Sequence, residues 1–117
     1  MIDTKGIATR LQRWAATQDA PVRAAVNVLA EQGHWLGNSL FVEACVHEDE
    51  FDNATYISWW QLENAIDDGK VYGSSGEMAV LRFALFLAGD ELGMSSLGST
   101  NRKLVATEFA RALGVQL

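Results

Sequence analysis

Residues 78–88 read Met-Ala-Val-Leu-Arg-Phe-Ala-Leu-Phe-Leu-Ala, apolar at every position except Arg82. Such a run is longer than the roughly four to eight residues of a buried strand. It is also only about half of the ~20 residues that cross a bilayer, where Arg82 would be costly. A helix without a wet face is expected in the interior of a protein, wrapped by other helices. Its start is marked by Ser74-Ser75-Gly76-Glu77, a capping box in which the Ser and Glu side chains each satisfy the other's backbone N–H.

The flanking sequence supplies the wrapping. Ile7, Leu11, Trp14 and Ala15 recur at helical spacing, which predicts a first helix over about residues 4–17 with Arg10 and Arg13 on its other side. Asp19 and Pro21 suit the start of a second helix, with Val22, Ala25, Val26 and Leu29 inward and Gly33 as its stop. Asn38 or Ser39 opens a third, reaching about Val46, with Leu40, Phe41 and Ala44 inward. Residues 47–53 read as a loop and 55–57 as a short extended approach. Ser58-Trp59-Trp60-Gln61 is a second capping box and starts a fourth helix. Gly89, Gly93 and Gly98 break the chain after the apolar rod. A last helix, capped at Ser99 or Thr100, runs to Leu113 with Val105, Phe109, Ala112 and Leu113 as its core face. The expected fold is therefore all-α: one domain, a compact orthogonal bundle of about six short helices around a central apolar helix, with no convincing strand pair.

Composition supports a packed fold. Hydrophobic residues make up 49% of the 117, enough for a core without metal or disulfide staples. Cys45 stands alone, as expected in a reducing compartment, and the first residues lack the basic-then-apolar pattern of a secretory signal. A cytoplasmic location is the expectation. The net charge of −6 is unevenly placed: residues 24–69 hold nine acidic side chains and no Lys or Arg. That segment repels phosphate backbones and attracts cationic surfaces.

A set of local motifs runs through the chain from Gly33 onward. They are His34-Trp35-Leu36, Phe41-Val42-x-Ala44-Cys45-Val46, Ile57-Ser58-Trp59 and Ser74-Ser75-x-Glu77-x-Ala79-Val80-Leu81, then Ala84-x-x-Leu87-Ala88 and Asn101-x-x-Leu104-Val105. In these, about two-thirds of the chain resembles a group of small uncharacterised helical proteins of actinobacteria, of unknown function. The resemblance implies a bacterial cytoplasmic origin and assigns no activity. The group's usual Asp before that Trp is Ser58 here, an equally good helix cap.

No nucleotide-binding, zinc-protease, nucleophile-elbow or CxxC signature is present. Gly73-Ser74-Ser75-Gly76 is explained as a helix cap, not an anion cradle. Glu43 and His47 are four apart and precede Glu48, Asp49, Glu50 and Asp52, a set of donors that would suit a divalent ion if it converged. A hydrogen-bonded histidine is the simpler reading, and no metal, cofactor or catalytic residue is assigned. Arg10, Arg13 and Arg23, or Arg102 and Lys103, offer basic faces for a small DNA-binding regulator, against which the overall charge argues. The one anomaly is Trp60. Trp59, Leu62 and Ile66 share a helix face, whereas Trp60 points with Glu63, Asn64 and Asp67 to the polar side. Either the 51–56 loop folds over it, or it stands exposed as an anchor. The leading expectation is a non-enzymatic interaction module that meets a basic protein partner through Trp60, Glu63, Asp67, Glu48, Asp49, Glu50 and Asp52. Nucleic acid and membrane are not expected partners.

Overall fold

The computed structural model describes residues 6–51, 53–89, 99–112 and 114. The described chain is mostly helical. Its helices are α1 (Ile7–Ala15), α2 (Ala20–Gln32), α3 (Ser39–Cys45), α4 (Trp59–Asp67), α5 (Ser75–Gly89) and α6 (Ser99–Ala112), with a 3₁₀ turn at Trp35–Gly37 before α3. Two short strands, β1 (Val46–Glu48) and β2 (Thr55–Ile57), lie between α3 and α4.

The helix limits follow the caps. Gly33 ends α2 at φ +80°, a left-handed conformation that costs a side-chain-bearing residue but not glycine. Asn38 caps α3 by accepting from the Phe41 N–H at 3.0 Å. At α5 the capping box forms in both directions: Glu77 N–H donates to Ser74 Oγ at 3.2 Å, and Ser74 N–H donates to Glu77 Oε1 at 2.8 Å. At α4 only half of the box forms. Gln61 N–H donates to Ser58 Oγ, but the Gln61 side chain turns to His47 instead. Asp19 occupies the N-cap position of α2 without a side-chain hydrogen bond.

The strand pair corrects the purely helical expectation. Val46 pairs with Ile57, His47 with Tyr56 and Glu48 with Thr55, antiparallel. Three residues per strand are too few to show alternation in sequence. Here Val46 and Ile57 are buried and the chain between them turns over a loop with Asn53 at φ +59°.

The core is built on Ile7, Leu11, Ala25, Val26, Leu29, Trp35, Phe41, Leu62 and Leu81. α2 packs most closely on α5, α1 on α2 and β2, α3 on α4, and α4 on α5. Trp35 is the largest side chain fully removed from solvent. Its indole N–H donates to the Glu77 carbonyl at 3.0 Å, so the 3₁₀ turn is pinned to the first turn of α5. Next to it His34 Nδ1 meets Glu77 Oε2 at 3.2 Å. The cap hydrogen bonds from Ser74, and then the charge of His34, hold the Glu77 carboxyl below the usual range.

Some residues expected to face inward are exposed. Leu40 on α3 is exposed. On α6, Val105 is 40% exposed, Leu104 is 59% exposed and Ala112 is also exposed. The Phe109 and Leu113 side chains lie outside the described residues. On α5, Leu81, Ala84 and Leu87 are buried, whereas Val80, Phe83, Leu85 and Phe86 are half-buried. The rod's inner face is thus the one turned to α2 and α4. No helix among the described residues is long and apolar enough to cross a membrane.

Candidate functional site: an acidic groove carrying an exposed tryptophan

The hairpin that interrupts the helices also sets two of them side by side. β1 follows α3 directly and β2 leads into α4. The ladder continues past Ile57: Ser58 N–H donates to the Cys45 carbonyl at 2.8 Å, tying the end of α3 to the start of α4. His47 Nε2–H donates to Gln61 Oε1, a further tie between β1 and α4. The clamp leaves a furrow between the two helices.

That furrow is an open groove of about 720 Å³. α3 contributes Leu40, Glu43 and Ala44, which share one face at i, i+3 and i+4. α4 contributes Trp60, Gln61, Asn64, Ala65 and Asp68. Lys70 closes one end. The floor is apolar, from Leu40, Ala44, Ala65 and the indole of Trp60, and the edges carry Glu43 and Asp68. Trp60 is 72% exposed, which is unusual for so large an apolar side chain. The hairpin's Tyr56 does not cover it but packs at a tilt against Trp14, with ring centroids 6.3 Å apart, and against His47 at 5.6 Å.

The proposed contact residues fall in two places. Trp60, Glu63 and Asp67 lie exposed on the outer side of α4, and Glu63 and Asp67 stand outside the groove lining. Glu48, Asp49 and Glu50 belong to the hairpin, and Asp52 lies outside the described residues. Asp49 is committed to the loop, where its Oδ1 accepts from the Phe51 N–H at 2.8 Å. Phe51 itself projects at the tip, 97% exposed. Of the groove lining, sequence reasoning assigned Trp60 to this surface and missed the rest, Leu40, Glu43 and Asp68 among them. The signal for the first two was available: Leu40 and Glu43 are on one helical face, next to each other.

The other candidates resolve as follows. α3 ends at Cys45, so Glu43 and His47 do not share a helix. Among the described residues no three His, Cys, Asp or Glu side chains gather closely enough to hold a metal ion. Cys45 is buried, its thiol donates to the Phe41 carbonyl at 3.3 Å, and burial pushes its pKa far up. Arg10 and Arg13 line a second cavity of about 440 Å³ between α1 and the hairpin, together with Trp14, Asp49 and Tyr56. There Arg10 Nε–H donates to Thr55 Oγ1 at 3.3 Å. Arg23 turns back onto the Gln18 carbonyl at 2.9 Å, so the three arginines do not form one open stripe.

Compared with protein-family models, with curated proteins and with solved structures, the chain finds no match.

Proposed function

We propose that this protein is a non-enzymatic interaction module that receives a cationic, amphipathic helical segment of a protein partner in the groove between α3 and α4. The observation that carries the reading is the 72% exposure of Trp60 beside a groove lined by Leu40, Ala44 and Ala65, with Glu43 and Asp68 at its edges and Lys70 at one end. A lone exposed apolar residue needs no explanation; one that lines a furrow with Leu40, Glu43 and Asp68 suits an anchor. A Lys or Arg of the partner can lay its aliphatic stem across the indole and set its charge over the ring face, a cation–π contact worth about 0.5–2 kcal/mol. Glu43 and Asp68 attract the same charges, and the acids at Glu63 and Asp67 extend the negative field along α4. The hairpin acids Glu48, Asp49 and Glu50 add to that field at longer range.

The wider architecture belongs to the same proposal. An orthogonal bundle organised around α5 gives the groove a rigid back wall, and the contacts of α5 with both α2 and α4 support it.

The test is a titration of the protein with a short amphipathic helical peptide of Lys and Leu, and with its Glu-for-Lys counterpart. The cationic peptide is expected to bind, and Trp60→Ala or Glu43→Lys to weaken it about tenfold or more. Wild-type affinity in both variants, or equal binding of the anionic peptide, rejects the groove.

A further inference from the structure

We infer that the cationic segment seated in the groove is α6 of a second copy of this chain, an inference that rests on the groove reading above. α6 is a 14-residue helix, yet Ala110 is the one buried side chain among those described in it. Among the described residues it shares no broad contact with another element, Ala110 being where it meets the rest of the chain. A helix of this length is marginal in water by itself and gains its stability from a packed apolar face. The face presented is Leu104 and Val105, 59% and 40% exposed.

The two uncovered surfaces complement each other. Residues 99–112 carry Arg102, Lys103 and Arg111 against Glu108 alone, while the groove lining carries Glu43 and Asp68 against Lys70 at one end. Arg111 is paired with Glu108, one turn away on α6, and the exposed Lys103 adjoins Leu104 in the chain. Leu104 and Val105 match the apolar floor of Leu40, Ala44, Ala65 and Trp60, and Lys103 matches Glu43 and Asp68. Among the described residues, none from α6 lines the groove of its own copy. The contact is therefore between unlike surfaces, and a closed pair forms it twice, each copy lending its α6 to the other.

Sedimentation equilibrium of the full chain tests this, on the wild type, Trp60→Ala, Leu104→Asp, and an equal mixture of the two variants. Leu104 is exposed, so its substitution leaves the fold intact, to be checked by circular dichroism. The wild-type mass is expected to rise above 12.8 kDa with concentration. Each variant alone is expected to raise the dissociation constant about tenfold or more. The mixture is expected to associate more tightly than either variant alone, because one partner keeps a sound groove and the other a sound α6. A mass fixed at 12.8 kDa at every concentration overturns the inference. So does association that ignores both substitutions, or a mixture no tighter than its components. If the Lys–Leu peptide still binds while the chain stays monomeric, the groove reading survives and only the second copy is excluded; if neither associates, both fail.

Discussion

Replacing Trp35 by Phe isolates the link between the 3₁₀ turn and α5. The indole is fully buried, packs at 6.2 Å from the Phe41 ring and edge-on to His34 at 4.7 Å, and donates to the Glu77 carbonyl at 3.0 Å. Phe keeps most of the apolar contact but loses the N–H, which is worth about 0.5–1.5 kcal/mol. The smaller ring also leaves a gap somewhat larger than a methyl group, which costs about 1–2 kcal/mol. The sum is about 1.5–3.5 kcal/mol, a large part of the roughly 5–15 kcal/mol typical of a domain. For a chain of this size Tm should fall by roughly 10 °C. Urea unfolding should show a lower midpoint with an unchanged slope. Trp14→Phe, at a half-buried ring, is the control and should cost about 1 kcal/mol or less. If Trp35→Phe stays within about 0.5 kcal/mol of wild type, Trp35 does not pin α5 and the assignment of that contact is wrong.

Three further outcomes are expected. Glu77 has a lowered pKa in the folded state, so its contribution is present above the usual carboxylate range and is lost as pH falls through the lowered value. Glu77→Gln keeps the cap but not the charge; its Tm deficit against wild type should shrink on acidification, and a deficit independent of pH contradicts the linkage. Asn38→Ala removes the cap of α3 and should cost about 1 kcal/mol, with Asn38→Asp restoring most of it; thermal melts of the three proteins decide this. Cys45, buried and with its thiol held protonated, should react with a thiol reagent only as fast as the chain unfolds, and rapid labelling of the native protein refutes its burial.

The sequence was most informative where the deciding physics is local. The caps at Asn38, Ser58 and Ser74, and the stop at Gly33, act within a turn of the helix they bound, so their residue types and spacing announce them. The buried stripes of α1 and α2 were equally plain, because one face of each meets the core. Where the outcome depended on which neighbour arrives, periodicity failed. Leu40 has the spacing of a core residue, but the hairpin clamp sets α3 beside α4 so that Leu40 edges a groove. Val105 has the same spacing, yet it is 40% exposed on α6. The capping-box pattern at Ser58 was half right, since His47, brought over by β1, captures the Gln61 side chain. Trp60 was recognisable as out of place on α4, yet its exposure depended on where Tyr56 packs. Glu43 and Asp68 join across the groove from positions far apart in the chain, which no local pattern shows.

The functional reading stands on an indole left in water beside the groove. Acrylamide quenching of tryptophan fluorescence, compared between wild type and Trp60→Phe at a protein concentration low enough to dissociate any complex, measures this. Trp35 is buried and Trp14 and Trp59 are half-buried, so the readily quenched emission of the wild type should come mainly from Trp60 and should largely vanish in the variant. Identical quenching curves would mean that Trp60 is covered, and the groove would then hold no anchor for any partner.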